Sequence, residues 1–587
     1  MINVIRKLII LGQIMKYILF TFPIWLVLSV SAQINYKYQN NLSFSYSETI
    51  QNYKILDSLY VNARLVEMGK SDIGRPVHLF IVSEDADFSP ESLHSKGKTI
   101  LLVNNGIHPG EPCGIDASLK FAEDLLSSEK RLLKNTTVCI IPFYNIGGGL
   151  NRSCCSRAMQ NGPQEYGFRG NAQNRDLNRD FIKCDSENAK AFAKIYHQWN
   201  PEVFVDCHTT NGSDFQYGMS IIATQKDKLN TRVSEYLNNE MLPFLYKDMA
   251  SKNMEIIPYV YNVGKSPDKG IKDYLETPRY STGYTTLFNS MGFVTEALKY
   301  KKYSERVEQT YAFLHSTLTW MNENSSEIIA TKQLADADVK QQEIFPISWE
   351  RDTVTHQTID FKGYEVEEVE SVFGKNAKKT IYNHDKPYTK KIKYFNKYNA
   401  DVIVEKPIGY IVPQAYKEVV ERLQLNQIEM VEIQNDTSIT AEVYYIKDYE
   451  TVKTPYEGHY LHYDVEVEKK VAPINYYKGD FIIYANQASN RYIVETLEPQ
   501  GVDSYFAWNF FDGILQQKEW FSPFSFEDEA ERLLKEDSKL KVDFQNKIKS
   551  DEAFANSQWS QLFFIYQRSP YYEKTHNRYP VARLIKW

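Results

Sequence analysis

The sequence predicts an α/β fold for its first half, a sheet with helices on both faces, followed by a smaller region of mixed α/β or β-rich character. Two observations carry the first prediction. Short, β-branched apolar runs alternate with segments of helical period up to about residue 325. Residues with metal-binding and acid–base chemistry then stand at the ends of those runs, where open α/β sheets place ligand sites. The second prediction rests on a change of character near Gln341, after which alternating strand-like segments dominate.

The elements follow in order. A helix is expected around Thr49–Met68 and a strand over Val77–Val82. Thr99–Val103 and Thr137–Pro142 read as buried strands, with a helix over Gly114–Leu126 between them. Asn145–Gly170 is long, polar and rich in Gly and Ser, a loop placed to shape a cleft. Ala189–Trp199 is a helix leading into the strand Val203–Cys207, and Glu305–Asn322 is a helix closing the unit. Residues 326–340 read as a linker. Beyond it, Asp360–Glu370, Ala441–Ile446, Tyr463–Val467 and Phe481–Tyr484 are expected strands. Gln414–Leu425 and Phe526–Lys535 are expected helices. The resulting division is 1–32, 36–325, 326–340 and 341–587.

At 587 residues the chain can hold two to four domains with proper cores. Hydrophobic content of 43% and charged content of 24% are those of soluble globular protein. A net charge of −7 leaves no basic footprint, which argues against nucleic acid as a partner. Lys16 precedes the apolar stretch Tyr17–Val30, and Val30-Ser31-Ala32 offers small residues for cleavage before Gln33. Residues 1–32 therefore read as an export signal, for a periplasmic or extracellular protein. Any membrane association would run through that segment left uncleaved. Gln33–Lys70 is too short for a propeptide, so no zymogen is expected. The six cysteines lack C-x-x-C spacing, which argues against a thiolate metal site. Cys154 and Cys155 are adjacent, a poor geometry for pairing with each other.

The chemistry lies in three short stretches and a fourth residue. His108-Pro109-Gly110-Glu111 follows the run Thr99–Val103; Arg175-Asp176-Leu177-Asn178-Arg179-Asp180-Phe181 comes later; Asp206-Cys207-His208 closes the run Val203–Val205; Glu296 ends Gly292–Thr295. Zinc takes imidazole and carboxylate ligands and leaves a position open when it is catalytic. His108 and Glu111 can grip one ion from a single turn, and His208 can complete the set from a neighbouring strand. An Arg fork such as Arg179 can hold a carboxylate by two parallel charge-assisted bonds. His459 and His462 are three apart but lack a third ligand and read as surface residues.

This set resembles the zinc carboxypeptidases of the carboxypeptidase A type over about Tyr36–Ser325. The resemblance implies a mixed, largely parallel sheet and one Zn2+ per chain, held by His108, Glu111 and His208. It implies Asn178 and Arg179 as the clamp for a substrate's C-terminal carboxylate, Arg169 as the oxyanion arginine and Glu296 as the general base. Asp176 would orient a zinc-binding histidine. The expected substrate is a peptide with a free C-terminal carboxylate. Tyr274, Tyr280 and Tyr284 compete for the tyrosine that closes over it. Asp206-x-His-Thr is also similar to N-acyl amino acid deacylases, so an N-acyl amino acid or murein-peptide amidase is an alternative. An inactive binding protein is another, but it would lack a ligand or base, and here all are present.

Overall fold

The computed structural model describes residues 34–210 and 212–585. The expected export signal over 1–32 lies outside them. Among the described residues, no helix is long and apolar enough to cross a membrane.

Helix α1 (Tyr46–Leu59) opens with a capping box in which Ser45 and Glu48 satisfy each other's backbone N–H. It is shorter than expected. The chain turns extended at Tyr60, and Ala63–Lys70 becomes strand β1, antiparallel to β2 (Pro76–Val82). Pairing across the turn at Gly74, where φ is +72°, wins over local helix propensity.

Next come β3 (Thr99–Asn105), α2 (Cys113–Ser127), β4 (Thr136–Ile141), α3 (Glu187–Trp199), β5 (Val203–Thr210), β6 (Met219–Ala223), β7 (Ile256–Pro258) and β8 (Met291–Leu298). Among the described residues, eight strands form one sheet in the order β1-β2-β4-β3-β5-β8-β6-β7. The central β4, β3, β5 and β8 run parallel, while β1, β2 and β6 enter through antiparallel pairs. This is the mixed, largely parallel sheet expected. β3, β4 and β5 are buried along their whole lengths, as strands covered on both faces must be.

Helix α4 (Tyr303–Glu323) packs against α2, and α5 (Ser325–Gln341) follows at once. The expected linker is therefore a helix. Ile328, Lys332, Ala335 and Val339 fall on one buried face at spacings of three and four. The Lys332 ammonium is satisfied there by Phe288 O at 2.7 Å.

Two long strands, β9 (Gln357–Glu370) and β10 (Lys378–Phe395), form an antiparallel ribbon that joins Ile271–Lys272 of the first half. Then come β11 (Gly409–Val412), α6 (Lys417–Leu425), β12 (Val431–Glu432), β13 (Thr437–Thr451), β14 (His462–Tyr476), β15 (Phe481–Tyr484), α7 (Asn490–Leu497), α8 (Pro523–Glu536), α9 (Gln558–Tyr566) and β16 (Ala582–Leu584). The strands from β11 onward form a second, antiparallel sheet in the order β12-β15-β11-β16-β13-β14. Residues from Lys37 onward make one compact unit, without a break near Gln341. One apolar cluster runs from Ile100 and Phe204 through Phe288 to Tyr492 and Trp508.

The expectation for the cysteines is corrected: Cys154 and Cys155 are joined to each other. Cys113, Cys139, Cys184 and Cys207 are unpaired and buried. The surface reading of His462 is also corrected. It is buried, with Asp512 at 3.1 Å and Thr451 at 2.8 Å as polar partners.

Candidate active site

The chain leaves β3 through Gly106, whose φ of +68° turns it sharply. The following turn closes with Glu111 N–H donating to His108 O at 2.8 Å, just before α2 begins. His108 and Glu111 thus project from one tight loop. His208 lies within β5, two residues before its end, and Glu296 lies likewise within β8. Both strands run further than expected because they pair in parallel register over their full lengths, which sets Glu296 directly beside His208.

Nδ1 of His108 and Nδ1 of His208 are 3.1 Å apart. Glu111 reaches both, at 3.3 Å from the first and 3.2 Å from the second. Among the described residues, these three form a cluster whose donor atoms all lie within 4.8 Å of one another. Each imidazole is backed by a carboxylate on its other nitrogen. Asp176 Oδ1 is 2.8 Å from His108 Nε2, and Asp206 Oδ2 is 3.2 Å from His208 Nε2. Asp206 was part of the sequence motif without a role. It precedes His208 by two in a strand, so the two share a face, and Asn104 donates to its other oxygen at 3.1 Å.

The donor set fits a divalent cation. Two imidazole nitrogens and a carboxylate converge on one point, with a carboxylate bonded to the far nitrogen of His108 and another 3.2 Å from that of His208. Burial pulls the His208 imidazole down, but Asp206 and Glu111 more than reverse this and hold it well above its usual range. The field at the cluster thus favours positive charge, and a metal ion answers the same field.

Asp176 caps the short turn Leu177–Arg179, accepting from Asn178 N–H at 2.9 Å. Its Oδ2 takes Arg169 Nε at 2.9 Å and lies 3.8 Å from Arg179. Burial pushes its carboxyl up, and His108, Arg169 and Arg179 together hold it well below the usual carboxylate range. The Arg179 guanidinium lies over the Tyr280 ring, 4.3 Å from its centroid. Asn178 Oδ1 accepts from Ser281 N–H at 3.3 Å. Tyr274 donates to the Tyr280 hydroxyl at 2.8 Å, and both rings line the cleft. Tyr284 is fully buried and bonded to Asn426, so it leaves the competition for the closing tyrosine.

The cleft is a cavity of about 550 Å³ lined by His108, Glu111, His208, Arg169, Asn178, Arg179 and Glu296 together. It therefore brings together every predicted site residue except Asp176, which stands behind His108. Burial and the Glu111 carboxylate push the Glu296 carboxyl up to about 8, against the pull of His208 and two arginines.

Arg157 was not foreseen. It sits in the long loop next to the joined cysteines, bonds Glu111 Oε1 through Nη1 and donates Nη2 to Thr209 O at 2.9 Å. With His108 it holds Glu111 well below the usual range, against burial. The loop is tied to the ligand turn by Gly167 N–H to Pro109 O at 3.0 Å and Gln160 Nε2 to Gly110 O at 2.9 Å. A lone Arg in a polar loop carries no signal of this role. Glu276 is also in the cleft wall, buried and accepting from Thr282 N–H at 3.0 Å.

Residues 50–351 match the zinc carboxypeptidase family, slightly more than half of the chain. The chain belongs to that family. Like other members of the zinc carboxypeptidase family, it is a zinc metallopeptidase. Carboxypeptidase 2 of Trichophyton tonsurans is 20% identical over 469 residues, covering 74% of this chain and 78% of its own. Among solved structures, a metallo-carboxypeptidase from Burkholderia cenocepacia is 15% identical with a TM-score of 0.36, over 48% of this chain and 70% of its own. Carboxypeptidase A from Helicoverpa armigera is 14% identical with a TM-score of 0.35, over 52% and 78%.

Proposed function

We propose that the protein removes the C-terminal residue from peptides, with Glu296 as general base and Asn178 and Arg179 as the carboxylate clamp. The observation that carries this reading is a single cleft holding a His-Glu-His cluster, a raised carboxyl beside it and a cationic fork opposite. A zinc ion held by His108, Glu111 and His208 would supply Lewis acidity, polarising the scissile carbonyl and acidifying water near neutral pH.

The chain's own groups do the rest. Burial raises the Glu296 carboxyl, so its carboxylate accepts a proton more readily than that of an exposed glutamate. Glu296 takes the proton of the attacking water on its carboxylate and passes it to the leaving amine. Arg169 is the arginine whose charge opposes the developing oxyanion. Its guanidinium is bonded to Asp176 through Nε at 2.9 Å and lies 3.6 Å from Glu111 through Nη1, already at the cleft wall. The Arg179 guanidinium lies over Tyr280, 4.3 Å from the ring centroid, with Nη1 donating to Asn178 O at 2.7 Å, which holds its charge in the cleft wall for a terminal carboxylate. With the Asn178 oxygen engaged by Ser281, its amide nitrogen is the group offered to the same carboxylate. Cleavage then falls at the chain end. Export by the segment 1–32 belongs to the same reading, which makes periplasmic or extracellular peptides the substrates.

The test is zinc-dependent amino acid release from N-blocked dipeptides, run beside N-acyl amino acids and murein peptides, for wild type and Glu296→Gln. Release of C-terminal residues from dipeptides, lost in the variant and with chelator, is the expected result. Turnover of N-acyl amino acids or murein peptides alone would replace the reading with an amidase.

A further inference from the structure

Among the described residues the cleft is lined by those between His108 and Lys299, and the C-terminal half reaches the site through contacts to residues of its wall and of the segment behind it. It does so through a hairpin tip. Tyr456 and His459 form an antiparallel bridge, with Tyr456 N–H to His459 O at 2.7 Å and His459 N–H to Tyr456 O at 3.0 Å. The two residues between them both have positive φ, +51° at Glu457 and +87° at Gly458. Such a two-residue turn asks for Asn-Gly, Asp-Gly or Gly-Gly. Gly458 suits it, and a Cβ there would stand 3.2 Å from the Arg175 guanidinium. Glutamate does not suit the first position. Its Cβ is crowded in left-handed backbone, and it lacks the short polar side chain that reconciles Asn or Asp to it.

What glutamate supplies there is reach. Glu457 Oε2 accepts the backbone N–H of Asp176 at 2.7 Å. Asp176 is the residue on which His108, Arg169, Asn178 N–H and Arg179 all converge. The hairpin also grips the far end of the same segment. His459 Nε2 lies 2.7 Å from Asp185 Oδ2, and Asp185 further accepts from Arg422 Nη2 at 2.9 Å. Two contacts from one hairpin therefore bracket the stretch 176–185 that carries Asn178 and Arg179.

We propose that Glu457 is a positioning residue for the substrate site, fixing the backbone that enters Asp176–Arg179 and so the placement of the carboxylate clamp. This gives the C-terminal half a task in substrate binding, and it rests on the peptide-end reading above. The unfavourable backbone at Glu457 is offset by the bond its carboxylate makes to Asp176 N–H at 2.7 Å.

The test uses the full chain and three variants. Glu457→Gly deletes the carboxylate while relieving the turn, so the fold is not put at risk. Glu457→Ala deletes it without relief. Glu457→Gln keeps an oxygen for Asp176 N–H. Hydrogen exchange over 175–180 reads the contact without turnover, and KM and kcat on an N-blocked dipeptide read its consequence. Glu457→Gly and Glu457→Ala are expected to speed exchange there and to raise KM on the order of tenfold, more than they lower kcat. Glu457→Gln restores both. Unchanged exchange in Glu457→Gly overturns the proposal, and so does faster exchange with an unchanged KM. If wild type cleaves no such peptide, the proposed function fails by itself. Exchange over 175–180 then still decides whether Glu457 holds the segment: unchanged rates overturn it and faster rates sustain it.

Discussion

Glu296 and His208 occupy the same register position on neighbouring parallel strands. Matched positions project to one face of a sheet, so the carboxyl is carried beside the imidazole by backbone pairing alone. Glu296→Gln keeps the size and loses the base. It is expected to lower kcat by about 10² to 10⁴-fold with zinc content unchanged. The sign of the pH dependence follows from the raised carboxyl. Below its pKa Glu296 is protonated and cannot accept a proton, so kcat/KM falls as pH drops through that value. A cation at the neighbouring cluster favours the ionised form and moves this limb below the value of about 8 reached by burial and Glu111. A pH–rate profile whose acid limb survives in Glu296→Gln would assign the limb, and the base, to another group.

Asp176 stands 2.8 Å behind His108 and would act on a bound metal through that ring. Asp176→Asn keeps an oxygen to cap Asn178 N–H and removes the charge behind the imidazole. Loss of such a backing carboxylate lowers zinc affinity by about 10 to 100-fold. Competition with a chelator measures it. Affinity equal to wild type would mean that the 2.8 Å contact orients the ring without tuning it.

Arg179 is expected to read the free end of the substrate. Arg179→Lys keeps a charge and loses the fork, which costs about 10 to 100-fold in kcat/KM on free-acid dipeptides. C-terminal amides of the same dipeptides should show little difference between wild type and variant. Equal losses on acid and amide would remove Arg179 from the clamp.

The candidate metal cluster and the strands were legible in the sequence because each depends on local pattern. His108 and Glu111 share one turn, and the buried runs around Leu101 and Val205 need no partner to be recognised. Residues that work across long chain separations were not legible. Arg157 reaches Glu111 over 46 residues and Glu457 reaches Asp176 over 281. Nothing near Glu457 in the sequence points to a metal site. Helix α5 was hidden by Lys332, a charged residue on its buried face that the Phe288 carbonyl makes tolerable. Strand β1 was hidden because its burial departs from strict alternation and its identity comes from pairing with β2.

The same helix bears on how the protein unfolds. Val339 and Phe288 belong to the apolar cluster that also holds Tyr492 and Trp508, and the Phe288 and Tyr492 rings stack at 5.4 Å. A shared core couples the two halves. Calorimetry is expected to show one cooperative transition, and Ile328→Ala, at a site with no exposure, to lower stability by about 2 to 5 kcal/mol. Two separate transitions, only one of them moved by the substitution, would show that the halves fold independently.

His197 lies where the halves meet, at the end of α3. Its Nε2 is 2.9 Å from the Tyr284 hydroxyl and 3.0 Å from Asn426 Oδ1. Burial holds the imidazole down at about 4, Lys332 adds to the effect and the bond to Asn426 opposes it. The unfolded chain takes up a proton at this position below about 6.5, its ordinary value, while the folded chain waits until about 4. Between those values the unfolded state binds more protons, so stability present at pH 7 is lost as pH falls from about 6.5 to about 4. His197→Gln keeps an amide at the interface and removes the titration. Urea unfolding at pH 7 and at mild acid should show the variant gaining on wild type by up to about 3 kcal/mol as pH falls. A difference between the two proteins that does not change with pH would mean that the imidazole takes up its proton equally well in the folded interface.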